Sequence, residues 1–174
     1  MDFTTFEGLI LLVVTILGAT VTYLFNSHIQ RKTAKYNSDL QRAEVKRAQT
    51  FHLLSRIFEP GPVGDARLKM AKWIADGKVI DYNELTPEED DVILSIIDFY
   101  EFVCEGALKG KTVDKELLDQ ESGGRIERYY FLIKDYIHAR EKRLTEVSKK
   151  NGGKPVILYE HIKLFLTDVR KIDI

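Results

Sequence analysis

The feature that most constrains this chain is an uncharged run of eighteen residues near its start, from Gly8 to Phe25. An α-helix rises about 1.5 Å per residue, so such a run spans roughly 27 Å, close to the thickness of a bilayer's hydrocarbon core. The run is apolar on every face, and a chain of 174 residues has too little other mass to surround it in a core. The sequence therefore predicts a transmembrane helix over residues 8–25, within an N-terminal segment of residues 1–25.

A cleaved signal peptide is the main alternative for this segment. Signal peptides carry basic residues before the apolar run and a small-x-small cleavage site after it. Here no Lys or Arg precedes the run, and no Ala-x-Ala site follows it. The segment is therefore expected to stay attached as an anchor.

The distribution of charge predicts the orientation of this anchor. Residues 1–25 hold two acidic and no basic side chains, whereas residues 26–58 hold seven basic and two acidic ones. Because Lys and Arg gather on the cytoplasmic side of a first membrane helix, the N-terminus is expected outside. The rest of the chain is expected in the cytoplasm, attached to the inner (cytoplasmic) membrane. Residues 59–174 hold 19 basic and 23 acidic side chains, a balance that argues against a nucleic-acid partner.

Residues 26–58 form a predicted basic stalk helix, since no Gly or Pro interrupts them. Arg31, Lys32 and Lys35 lie at its membrane end, where anionic headgroups attract basic side chains by about 1 kcal/mol each. Membrane lipids are thus expected partners of these three residues. The alternative is that the basic flank serves only to orient the anchor.

Within the anchor, Thr15, Gly18, Ala19 and Thr22 recur at spacings of three and four. Small residues at this spacing allow two membrane helices to approach closely. The stripe indicates a possible homo-oligomer or a packed partner helix. Small residues are also common in membrane helices that do not associate, and that alternative stays open.

The remainder, residues 59–174, is predicted to be a compact helical domain, so the fold class is all-α. A helix is expected to start after Asp65 and end near Gly77. Thr86 followed by Pro87 predicts the start of a central apolar helix. Further helices are expected over residues 113–120, from residues 122–124 to about Lys150 with Leu144 and Val147 on its inward face, and over residues 156–170. No run of alternating apolar residues indicates a strand.

Three acidic residues of the central helix, Asp98, Glu101 and Glu105, are spaced so that they share one helix face. Such a row could bind a cation or raise one carboxyl pKa. It could also be a solvated face or pair with basic residues of the long helix, such as Arg125, Arg128 or Arg140. Together with Arg67 and Arg140, the row forms a predicted inter-helix charged cluster.

No cofactor, metal ion or catalytic residue is predicted. The four histidines do not fall within ligand spacing of one another, and Cys104 is the only cysteine. Gly110-Lys111-Thr112 resembles the end of a phosphate-binding loop, but Glu105 stands where that loop needs its first glycine. Cys104 lies among apolar positions and is interpreted as a small buried side chain.

Three stretches resemble a bacterial family known as a domain of unknown function, DUF4760. They are Ala66-Arg67-x-x-Met70-x-x-Trp73, then Asp98-Phe-Tyr-Glu-Phe-Val103, and the long helix that ends near Ala139-Arg140. The resemblance covers roughly residues 45–170. It implies an N-terminal membrane helix followed by a helical domain, and it carries no established active site, so no catalytic role is transferred.

Three classes of function are consistent with the sequence, and they are given in descending order of preference. The first is a membrane-tethered, non-enzymatic interaction module at the inner leaflet, whose activity a protein partner supplies. The second is an accessory or effector protein in bacterial or phage conflict that acts through assembly in the membrane. The third is an enzyme that uses the acidic row of Asp98, Glu101 and Glu105.

Overall fold

The computed structural model describes residues 3–110 and 112–174, and every regular element in that part of the chain is helical. The all-α prediction is therefore confirmed. In chain order the helices are α1 (Phe3–Ser55), α2 (Pro62–Ala75), α3 (Pro87–Leu108), α4 (Lys115–Leu118), α5 (Gly124–Lys150) and α6 (Glu160–Leu164). Two π-helical turns, Asp119–Gly123 and Phe165–Val169, follow α4 and α6.

Helix α1 runs unbroken from Phe3 to Ser55, so the predicted anchor and stalk form one helix. All residues from 10 to 25 are exposed. Among the described residues, the stretch Ile10–Ser55 is long and apolar enough to cross a membrane, with a mean hydropathy of 1.8 in its most apolar window and none of that window buried. The structure thus contains one candidate membrane-spanning helix near the N-terminus.

The chain divides into two compact units, Met1–Glu44 and Val45–Ile174. The second unit starts within α1, before the boundary at residue 59 expected from the sequence. The boundary lies earlier because the end of α1 and the turn after it are buried in the second unit. The buried residues there are Thr50, Leu54 and Ile57, of which the two apolar ones belong to the core. Buried Thr50 also accepts a hydrogen bond from the Asp114 backbone N–H at 2.8 Å, which ties the end of α1 to α4.

Helix α3 is the central element of the second unit. Its start matches the prediction: Thr86 accepts from the Glu89 backbone, Glu89 reaches back to the Thr86 N–H, and Pro87 occupies the first turn. Its buried face packs against α2, α5 and α6 in one core. The buried residues of α3 are Val92, Ile93, Ile96, Ile97, Phe99, Tyr100, Val103, Cys104 and Ala107.

Helix α2 departs from its predicted start, whereas α5 begins at Gly124, within the predicted residues 122–124. Helix α2 begins at Pro62 and not after Asp65, because proline lacks an N–H and is suited to a first helical turn. A π-helical turn, Asp119–Gly123, joins α4 to α5. Leu144 and Val147 were expected on the buried face of α5 but are exposed; its buried residues end at Ile137.

The last predicted helix, residues 156–170, is wrong at its start. Helix α6 begins only at Glu160 because side chains of α5 hold the preceding backbone in place. The Val156 N–H donates to Thr145 Oγ1 at 3.0 Å, and the Leu158 N–H donates to Glu141 Oε1 at 2.7 Å. Such side-chain bonds compete with helix formation, and Tyr159 then turns the chain with a φ of 55°.

Candidate functional site

The five charged residues predicted as one cluster lie in separate contacts. Among the residues that the structure describes, no ion pair joins any two of them. Of the five, Arg67 lines a cleft with other cations that have no ion pair among the described residues. The five are Arg67, Asp98, Glu101, Glu105 and Arg140.

Glu101 has a structural role at the N-terminus of α6. Its carboxylate accepts from the backbone N–H groups of His161, at 3.1 Å, and Ile162, at 3.0 Å, and it contacts the His161 ring Nδ1 at 2.8 Å. Helix α6 has no side-chain cap of its own. Glu101 therefore supplies from α3 the acceptor that the first N–H groups of α6 need.

Arg140 joins α5 to the start of α3. Its guanidinium lies 3.3 Å from Asp90 Oδ1 and also donates to the Tyr136 hydroxyl, which in turn donates to Asp90. Burial raises the pKa of Tyr136, and its hydrogen bond to Asp90 adds to the effect. Tyr136 therefore stays a neutral donor, and the group pins two helices together.

The other two acidic residues of the row do not face a shared site. Asp98 is exposed, and its negative charge adds to burial in raising the pKa of Tyr159. Glu105 pairs with Lys109 one turn along α3, and the hydrogen bond from Lys109 lowers the pKa of Glu105. Glu105 thus has a local contact along its own helix, whereas Asp98 acts on the segment that precedes α6.

Arg67 lies in a cleft between α2 and α5 that we call the arginine cleft. Its volume is about 210 Å³, and it is lined by Arg67, Ala71, Ile74, Arg125, Arg128 and Tyr129. The Nε atom of Arg67 is buried and has no hydrogen-bond partner among the described residues. A buried guanidinium nitrogen without an acceptor is costly, and it identifies this cleft as a place to look for a ligand.

Phe58 holds two of these arginines in place. The guanidinium carbon of Arg67 lies 4.9 Å from the centre of the Phe58 ring, and that of Arg125 lies 5.2 Å from it. Arginine stacks favourably on aromatic rings at these distances. Phe58 thus holds both guanidinium groups in place but adds no negative charge to offset theirs.

No acidic side chain lines the arginine cleft, and no ion pair within the described part of the chain involves Arg67, Arg125 or Arg128. Burial raises the pKa of Tyr129, while the positive charges of Arg125, Arg67 and Arg128 all act to lower it. All three cations are thus close enough to act on one side chain.

Sequence reasoning placed Arg125 and Arg128 as possible partners of the acidic row and missed their common cleft with Arg67. The spacing of three residues on α5 was a signal that Arg125 and Arg128 share a face. The approach of Arg67 from α2 had no such signal, because contacts between distant elements leave no trace in local spacing.

The predicted packing stripe of α1 faces open space. The hydroxyls of Thr15 and Thr22 donate to the carbonyls of Leu11 and Gly18 at 2.8 Å. A Cβ atom placed on Gly18 would meet nothing within 4 Å. The hydroxyls of both threonines are therefore already hydrogen-bonded within the helix. Gly18 leaves room for another helix.

The predicted headgroup contacts, Arg31, Lys32 and Lys35, are exposed on α1. The ion pair recorded for the first unit, Asp39 with Arg42, does not involve them. Their charges are therefore available to solvent or to an anionic surface.

A metal site, a reactive cysteine and a phosphate-binding loop find little support in the described part of the chain. No group of three or more His, Cys, Asp and Glu side chains is arranged to hold a metal ion there. Cys104 is buried, which raises the pKa of its thiol. Gly110 ends α3 with a φ of 66°, as expected of a helix terminus, and Lys111 lies outside the described residues.

Comparisons with known proteins leave the function to be argued from geometry. The chain matches no known protein family, curated protein or solved structure. The resemblance to a domain of unknown function therefore stays a prediction.

Proposed function

We propose that this chain is a single-pass inner-membrane protein whose cytoplasmic helical unit is a non-enzymatic interaction module. In this proposal residues 8–25 cross the bilayer and the unit of residues 45–174 binds a protein partner that supplies the activity. The observation that carries the proposal is the complete exposure of residues 10–25 in a helix long enough to span a membrane.

An apolar helix exposed along its whole length has a strong preference for lipid over water. The stretch contains large apolar side chains with more than half of their surface open, among them Leu11, Val14 and Leu17. Leucine and valine each favour membrane insertion by about 0.3 to 0.6 kcal/mol at a helix centre. The helix also satisfies its own backbone hydrogen bonds, as a spanning segment must.

The charges on either side of this stretch support the proposed orientation. The basic flank that begins at Arg31 continues in the same helix as the apolar stretch, and Arg31, Lys32 and Lys35 are exposed. An excess of Lys and Arg close to a membrane helix sets the cytoplasmic side. An external N-terminus and a cytoplasmic unit of residues 45–174 follow.

The second unit offers a surface that suits a protein partner. An apolar cleft of about 340 Å³ lies between α2 and α5, lined by Trp73, Ile74, Gly77, Lys78, Glu127, Arg128, Phe131 and Leu132. Phe131 is 39% exposed and Ile74 is 37% exposed. An aromatic floor with charged residues at its edge is typical of the centre of a protein interface.

A photocrosslinking amino acid placed at position 131 tests this function in native membranes. We expect a discrete adduct with one protein partner, and we expect Phe131→Ser to abolish copurification of that partner. Position 147 is the matched control, because Val147 is also exposed on α5. Identical adducts at 131 and 147, or a partner still retained by Phe131→Ser, would contradict the proposal.

A second candidate is an effector in bacterial or phage conflict that acts by assembling in the membrane. The observation in its favour is the open stripe of Thr15, Gly18, Ala19 and Thr22, in which Gly18 leaves space for a second helix. An enzyme using the acidic row ranks below both, since Glu101 caps α6 and Glu105 pairs with Lys109.

A further inference from the structure

The arginine cleft brings three guanidinium groups together from two helices. Arg67 comes from α2, Arg125 and Arg128 come from the first turns of α5, and Tyr129 completes the lining. All of these residues belong to the unit Val45–Ile174. The cleft is therefore formed wholly within one unit.

Three cations at close range repel one another, and no acidic side chain lines the cleft to offset this. Like charges near a protein surface interact by several kcal/mol at contact distance. Elsewhere in the unit Arg47, Arg140 and Arg170 pair with carboxylates, whereas Arg56 and Arg143 have no ion pair among the described residues. The arginine cleft differs in bringing three such unpaired cations to one place.

The donors of the cleft are ordered and largely unused. A guanidinium carries five N–H groups, of which Arg128 gives one, its Nε–H, to the Gly124 carbonyl at 3.1 Å. Arg67 Nε–H has no acceptor among the described residues, and Phe58 stacks on Arg67 and Arg125. Ordered donors lose less entropy on binding, so they favour tight recognition of an anion.

The buried hydroxyl of Tyr100 lies beside the same group. The ring of Tyr100 is 6.0 Å from that of Tyr129. Burial raises the pKa of Tyr100, and the nearby charge of Arg125 acts to lower it. Arg125 therefore acts on two neighbouring tyrosines, Tyr100 and Tyr129.

The number and shape of the donors select the ligand class. A phosphate group carries about −1.5 to −2 charges at neutral pH and three acceptor oxygens, which suits several arginine forks at once. A carboxylate offers one charge and two oxygens. The volume of about 210 Å³ is below the range of roughly 300 to 1,000 Å³ usual for drug-sized ligands, so the ligand is small.

We infer that the arginine cleft binds a phosphate group, either as a free phosphate compound or as the phosphomonoester headgroup of a lipid. Arg67 and Arg125 hold it with their stacked guanidinium groups, and Arg128 closes the exposed side. Bound phosphate would neutralise the cluster and fasten the start of α5 to α2.

The experiment uses the full chain in nanodiscs and follows hydrogen exchange of α2 and the start of α5. In the first arm, phosphatidylcholine nanodiscs are titrated with inorganic phosphate, with chloride at equal ionic strength as reference. In the second arm, phosphatidic acid replaces part of the lipid and no phosphate is added. Protection in the first arm alone indicates a soluble phosphate ligand. Protection in the second arm alone indicates a lipid headgroup. Protection in both arms indicates that the cleft binds a phosphate group from either source.

Arg128→Gln separates binding from folding, because Arg128 is exposed. Loss of one charge-assisted hydrogen bond weakens binding by about tenfold or more, and Arg67→Lys should weaken it as well because lysine lacks the planar fork. Arg143→Gln on the exposed surface of α5 is the matched control and should leave binding unchanged. Protection in neither arm, or equal binding by Arg128→Gln and Arg143→Gln, would overturn the inference.

Discussion

At the scale of single residues, Glu101 shows how tertiary structure reassigns a charged side chain. In the sequence it belongs to an acidic row, and a row of carboxylates suggests a cation site. In the fold it accepts three hydrogen bonds from the start of α6. Glu101, one of three carboxylates for which a cation site was considered, is thus the acceptor that orders the start of α6.

Glu101→Gln should therefore lower stability. Glutamine keeps one acceptor oxygen but loses the charge that favours a helix N-terminus, so we expect a loss of about 1 kcal/mol. Glu105→Gln is the matched control and should change stability by less than about 0.5 kcal/mol, since its pair with Lys109 lies within one helix. The measurement is the denaturant midpoint of each variant in detergent. Equal midpoints for both variants would return Glu101 to the candidates for chemistry.

At the scale of elements, α1 combines two kinds of surface in one helix. Its first part is apolar and exposed, its last turn contributes Leu54 to the core of the second unit, and the turn that follows the helix contributes Ile57. The long helices α1, α3 and α5 were predicted well, because their apolar periodicity and start signals lie between residues close together along the chain. The starts of α2 and α6 were misplaced because Pro62 and the side chains of α5 decide them.

Gly18→Ile tests whether the stripe on α1 packs against another copy. Isoleucine adds bulk where the isolated helix has open space, so the single helix should be unaffected while close helix association is lost. Thr20→Ile is the control, because residue 20 lies on the far side of the helix from residue 18. Crosslinking in membranes gives the oligomer distribution, and oligomers that persist in Gly18→Ile would remove the basis for membrane assembly.

At the scale of the whole molecule, the orientation of the anchor in the membrane determines in which compartment the unit of residues 45–174 lies. Cys104 is the only cysteine, and burial raises the pKa of its thiol, so it should react little with maleimides. Single cysteines introduced elsewhere can therefore report topology against a low background.

Thr5→Cys should react with an impermeant maleimide from outside intact spheroplasts, and Lys142→Cys should react only in inverted membrane vesicles. The physical reason is the basic flank after residue 25, which resists translocation. Unmodified chain measures the background from Cys104. The opposite pattern of labelling would reverse the proposed orientation, and labelling of both positions from one side would exclude a membrane-spanning anchor.

By itself the sequence determined the features that depend on neighbours along the chain. The apolar run of residues 8–25, the basic flank and the cap of α3 at Thr86 each arise from residues within a few turns of one another, where composition and spacing suffice. Only the tertiary structure decided which charges meet. Arg67 joins Arg125 and Arg128 across more than fifty residues of sequence, and Glu101 reaches α6 across about sixty, because side chains so far apart along the chain meet only when helices pack.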